Sequence, residues 1–148
     1  MVYILFNMKE IVLACGYFNP LHIGHVRYLQ GAKNIGSNLL VIVNNDEQVK
    51  IKGSKPFMSL EERIEIVNAL SCVDMVVRSI DQDGTQRKTI RDLVERYKLD
   101  IQYFAKGGDS KPSNTPEIPL CDELGIYAVF NVGGGKIQSS SWLIKDAK

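Results

Sequence analysis

Five short apolar runs mark this chain: Ile11 to Cys15, Leu39 to Val43, Val73 to Val77, Ile101 to Phe104 and Ile126 to Phe130. Each has the length of a strand. Leu39-Leu40-Val41-Ile42-Val43 is apolar without a break, the mark of a strand buried on both faces. Between the runs the apolar positions open to helical spacing. Val26 to Lys33 reads as a helix that continues to about Ile35, with Gly36 just past its end. Ser59-Leu60-Glu61-Glu62 has the form of a capping box, and Ile64, Ile66, Val67 and Leu70 continue one buried face. Thr85 to Tyr97 turns Ile90, Leu93 and Val94 inward. Thr115-Pro116-Glu117 reads as a helix start, with Thr as N-cap and Pro at the first position, running to Leu124 before Gly125. Ser139-Ser140-Ser141 heads a last short helix through Lys145. Strands that alternate with helices argue for an α/β fold, a parallel sheet with helices on both faces.

In such sheets ligands bind beyond the carboxyl ends of the strands. The residues found there carry the chemistry. The first strand runs into Gly16-Tyr17-Phe18-Asn19-Pro20-Leu21-His22-Ile23-Gly24-His25, a strand-to-helix turn that holds both histidines of the chain. His22 and His25 are three apart and share a face of a helical turn. Gly24 lets a phosphate approach the backbone, and the helix start offers N–H groups to an anion. Asn44 to Asp46 end the second strand on the same edge. A loop with Lys50, Lys52, Gly53 and Lys55 follows, which reads either as a solvated surface loop or as a flap that closes over a triphosphate. The fourth strand ends at Lys106-Gly107-Gly108-Asp109, and Gln138-Ser139-Ser140-Ser141 follows the fifth. Hydroxyls and backbone N–H groups at such a helix start suit a phosphate.

Composition narrows the class. A length of 148 residues fits one domain, and 45% apolar with 24% charged residues is ordinary for a soluble globular protein. A net charge of +1 gives no global field for nucleic acid or a membrane surface. Cys15, Cys72 and Cys121 are far apart and odd in number, so neither a disulfide framework nor a zinc site is suggested, and a reducing cytoplasm is the simplest setting. Residues 1–8 read as an extra N-terminal segment: an upstream start, a short strand or a tail.

The turn around His22 and His25 resembles the G-x-F-D-x-x-H-x-G-H signature of the cytidylyltransferase-like nucleotidyltransferases, with Asn19 where that family usually has Asp. Lys106-Gly107-Gly108-Asp109 and Ser139-Ser140-Ser141 resemble elements of the same family, closest to its heptose-phosphate adenylyltransferase and glycerol-3-phosphate cytidylyltransferase types. The resemblance runs from about Lys9 to Lys145. It implies a Rossmann-like doubly wound sheet of five strands in the order 3-2-1-4-5. It implies His22, His25 and Lys106 as catalytic groups. Gly16, Tyr17, Phe18, Asn19, Gly24, Gly107, Gly108, Asp109 and Ser139 to Ser141 would bind the nucleotide, with Lys52, Lys55 and Arg63 as phosphate or acceptor contacts. Mg²⁺ would enter with ATP or CTP rather than in a protein cage. The second substrate would be a phosphorylated small molecule. Homodimers are common in the family, although nothing in this sequence requires one. A non-catalytic nucleotide-binding domain is the alternative that Asn19 keeps open.

Overall fold

The computed structural model describes residues 8–134. Five parallel strands form one sheet, in the order β3-β2-β1-β4-β5: β1 (Ile11–Gly16), β2 (Asn38–Val43), β3 (Met75–Arg78), β4 (Ile101–Gly107) and β5 (Tyr127–Val132). This is the expected order, with the direction of winding reversing at β1. Helix α1 (Ile23–Lys33) follows β1; α2 (Asp46–Ile51) and α3 (Leu60–Asn68) follow β2; α4 (Arg87–Glu95) follows β3; and α5 (Ile118–Leu124) precedes β5.

Alternation along the strands builds two cores. Val12, Ala14, Leu39, Val41 and Val43 point to one face, where Leu29 and Ala32 of α1 and Leu60 and Val67 of α3 cover them. Ile11, Leu13, Leu40, Ile42 and Phe104 point to the other, under Ile90 and Leu93 of α4 and Leu120 of α5. Burial on both sides explains why the β2 run has no polar break.

Of the boundaries that differ from the sequence reading, three move because a polar side chain takes backbone groups. Asp74 is not in the third strand: its carboxylate accepts from Leu39 N–H at 2.8 Å and from Lys33 Nζ at 2.6 Å, so β3 begins at Met75. Asn45 and Gln48 form a reciprocal cap that starts α2, so Lys50 lies in a helix and not in the basic loop. Thr115 does not cap α5; its hydroxyl donates to Lys111 O at 2.7 Å, and α5 starts at Ile118 with no side-chain cap. Ser59 does cap α3, accepting from Glu62 N–H at 3.3 Å. The helix read from Ser139 to Lys145 lies outside the described residues.

Candidate active site

The crevice begins where β1 and β4 part. Their pairing runs from Ile11 opposite Ile101 to Leu13 opposite Phe104, while β1 stays paired with β2 as far as Gly16. Into the gap comes the Tyr28 side chain from α1. Its hydroxyl donates to Ala105 O at 2.6 Å and accepts from Cys15 N–H at 3.2 Å. One phenol thus satisfies two strand groups that would otherwise pair or stay orphaned. Burial raises the Tyr28 pKa, which keeps the hydroxyl protonated for this task. No sequence motif pointed to this residue.

The two histidines sit at the start of α1. His22 is the N-cap, with Nδ1 accepting from Gly24 N–H at 3.1 Å. His25 reaches back, its Nδ1 accepting from His22 N–H at 3.2 Å. A neutral imidazole whose Nδ1 accepts carries its proton on Nε2. Each ring therefore caps the helix through one nitrogen and carries an Nε2–H on the other, that of His22 buried within the turn. The rings stack at 3.9 Å between centroids, and the Phe18 ring meets His25 edge-on at 5.0 Å. Burial, then the neighbouring His22, then the Lys52 charge push the His25 pKa down to about 3. His25 is thus a neutral donor across the physiological range, beside a helix N-terminus and a lysine.

Around this turn the polar connections are dense. Arg63 has 0% exposure. Its Nε donates to Met58 O at 3.1 Å, its Nη1 to Tyr17 O at 2.8 Å and Asn44 O at 2.7 Å, and its Nη2 to Asp46 Oδ1 at 2.6 Å. The sequence reading made Arg63 a phosphate or acceptor contact. Its position corrects that: the guanidinium lies inside the protein and braces the ends of β1 and β2, α2 and the loop before α3. Lys52 Nζ lies 4.3 Å above the Tyr17 ring. Lys55 is exposed, and its carbonyl accepts from Asn19 Nδ2 at 2.8 Å.

On the other side of the crevice Lys106 extends from β4 to the end of β1, its Nζ 3.9 Å from Cys15 Sγ. Desolvation raises the Cys15 pKa, so this neighbour is a thiol. Gly107 was expected to admit a ligand to the backbone. A Cβ there would instead lie 3.0 Å from the Tyr28 ring and from Val132 O, so the absent side chain makes room for protein. Gly16 likewise makes room for the Phe18 ring, which a Cβ would meet at 2.8 Å. Gly108 has φ of +53°, and Ser110 N–H closes the turn onto Gly107 O at 3.1 Å, leaving Asp109 exposed at its tip. The structure thus brings His22, His25, Lys52 and Tyr17 together, and sets Lys106 beside Cys15 at the end of the same strand. Ser139, Ser140 and Ser141 lie outside the described residues. Among the described residues no cluster of three or more His, Cys, Asp or Glu is placed to hold a metal ion, and no helix is long and apolar enough to cross a membrane.

Known proteins share the sequence pattern and the fold. Residues 13–121 match the family model described as cytidylyltransferase-like. The chain is 39% identical over 137 residues to the bifunctional protein HldE of Hydrogenovibrio crunogenus, covering 90% of this chain and 25% of that protein. It is 41% identical over 128 residues to the HldE of Proteus mirabilis, covering 85% and 24%. The chain therefore spans about a quarter of the length of these curated relatives. Among solved structures, a lipopolysaccharide core biosynthesis protein from Thermoplasma volcanium aligns with a TM-score of 0.65 and 27% identity, covering 83% of this chain and 94% of that one. A putative nicotinate-nucleotide adenylyltransferase from Vibrio parahaemolyticus shares the fold, with a TM-score of 0.62, 19% identity, and 93% and 86% covered.

Proposed function

The chain belongs to the cytidylyltransferase-like family of nucleotidyltransferases, and from that premise we propose that it transfers a nucleoside monophosphate from ATP or CTP to a phosphorylated sugar or polyol. The similarity to HldE favours a sugar phosphate acceptor and ATP as donor. An acceptor phosphate oxygen attacks the α-phosphorus; the bond from that phosphorus to the bridging oxygen breaks, and pyrophosphate leaves. Such a transfer needs position and charge stabilisation rather than a covalent enzyme intermediate.

The observation that carries this reading is the pair of imidazoles at the start of α1, each with Nδ1 taken by a backbone N–H. Their Nε2–H donors, the α1 N-terminus and Lys52 suit the oxygens on which negative charge gathers as pyrophosphate departs. Neutral imidazoles serve here as donors that need not exchange a proton. Lys106 suits a phosphate on the β4 side, Lys55 the acceptor side, and the Ser139 to Ser141 hydroxyls the outer phosphates. A divalent cation, Mg²⁺ in this reading, would be held by the triphosphate itself and would supply neutralisation of its charge. Among the described residues no three His, Cys, Asp or Glu stand together to hold it, and Asn19 is committed to other partners.

Pyrophosphate release from ATP and from CTP against a panel of sugar and polyol phosphates tests the proposal. Release that depends on one acceptor supports it. Triphosphate binding without release on any acceptor would instead favour a non-catalytic nucleotide-binding domain.

A further inference from the structure

We infer that Asn19 is a positioning residue: its amide latches the lysine-bearing segment 52–58 to the histidine turn, so that the cations stand in place before a triphosphate arrives. The inference rests on the proposed function for what the lysines meet, but the latch itself rests on geometry. Asn19 is 3% exposed. Its Nδ2 donates to Lys55 O at 2.8 Å. Its Oδ1 accepts from Phe57 N–H at 2.6 Å and from Met58 N–H at 3.2 Å. The donor faces a carbonyl and the acceptor faces two amides, so only one orientation of the amide satisfies this network.

Between the end of α2 and the start of α3 the chain has neither helix nor strand. Backbone groups that secondary structure would pair are here paired by one side chain. The same segment is held at both ends. Lys52 lies over the Tyr17 ring, and Met58 O accepts from Arg63. The sequence reading allowed a flap that closes on its ligand. The bonds describe a loop already fixed to the site. Ordering it ahead of binding removes a conformational cost that would otherwise weaken affinity.

The latch requires an amide. An ionised Asp at this place could still accept from Phe57 and Met58, but it has no hydrogen for Lys55 O and would oppose that oxygen with its own charge. Asn19→Asp is therefore expected to release the loop nearly as Asn19→Ala does, and to act on triphosphate affinity more than on turnover.

Limited trypsin digestion reads the latch without any activity. Lys52-Gly53 is the reporter bond, since Lys55 precedes a proline. Cleavage there should be at least about tenfold faster in Asn19→Asp and Asn19→Ala than in the wild type, and calorimetric binding of Mg-ATP and Mg-CTP should weaken about tenfold. At saturating triphosphate kcat should fall by less than the affinity does. Wild-type cleavage in either variant overturns the latch, as does a loss of kcat with affinity and cleavage unchanged. Hydrogen exchange on the wild type keeps the idea testable if the variants do not fold. The Phe57 and Met58 amides should exchange at least about a hundredfold slower than free peptide; exchange at the free-peptide rate overturns it. Absence of nucleotidyl transfer on every acceptor would remove the proposed function and leave the digestion and exchange results standing.

Discussion

The two walls of the crevice are held together in different ways. On the β2 side, Arg63, Asn19, His22 and His25 join elements through side chains that bond to backbone groups. On the β5 side, apart from the Tyr28 hydroxyl between Cys15 and Ala105, the joints are glycines. A Cβ at Gly133 would lie 2.7 Å from Tyr28 Cα, and one at Gly31 would lie 3.0 Å from Gly133 N, so α1 rests almost directly on the backbone after β5. Polar bonds have narrow distance and angle ranges, so the first wall fixes where each donor points. Glycine contacts fix only how close two elements come. A site that must aim two imidazoles while admitting a bulky nucleotide can use one of each.

The largest effect expected from breaking this comparison is on the polar wall. Arg63→Met leaves three backbone carbonyls and Asp46 without their donor. A loss of about 3–5 kcal/mol is expected in urea unfolding, since each buried acceptor left unsatisfied costs about 1–3 kcal/mol. Arg63→Lys should recover less than half of it, because an ammonium cannot span the guanidinium's fork. A loss under about 1 kcal/mol would show that the brace is incidental.

The glycine wall should give a smaller effect of another kind. Gly133→Ala sets a methyl against Tyr28 Cα and N and Arg27 O, atoms that cannot turn aside, at φ of +82°. Overpacking of this sort costs about 1–3 kcal/mol. The His22 and His25 bonds should survive it, so the imidazole NMR signals should keep their wild-type shifts while the melting temperature falls.

Histidine titration sharpens the contrast further. The His25 pKa is about 3 in the folded protein against an ordinary 6.5. Between those values the unfolded chain binds a proton that the folded chain excludes. This contribution is therefore complete above pH 6.5 and shrinks as the pH falls toward 3. In His25→Asn the stability difference from wild type should change over that window and stay constant above it. A constant difference throughout would place His25 in a more open setting. Lys106→Met, the mildest change, should stay within about 0.5 kcal/mol of wild-type stability while weakening triphosphate binding. Unchanged binding would leave Lys106 a half-buried cation beside Cys15 with no part in binding the triphosphate.

How much of this was legible in the sequence depends on how local the cause is. The strands came through because burial on two faces leaves continuous runs; their order came only from the family that H-x-G-H after the first strand resembles. The sequence placed the histidines together on one helical turn after the first strand; that each ring caps the helix through its Nδ1 came only from the structure. Arg63 was misplaced because a helical arginine gives no sign of lying opposite three carbonyls from two other elements. Tyr28 was passed over for the same reason: its partners, Cys15 and Ala105, are adjacent only once the sheet is folded. Gly107 was read for a ligand because a glycine reports missing bulk without saying what occupies the space.

The central claim is that each imidazole caps the helix with Nδ1 and serves the phosphates with Nε2–H. His25→Asn and His25→Gln separate the two jobs. Asparagine places an acceptor near the Nδ1 position, and glutamine places a donor near the Nε2 position. With triphosphate and acceptor both saturating, His25→Asn should fold and bind triphosphate nearly as the wild type does, yet lose about a hundredfold in kcat, the usual cost of one preorganised donor. His25→Gln should keep kcat within about tenfold. A folded His25→Asn enzyme with near wild-type kcat would contradict the account and leave His25 a cap alone.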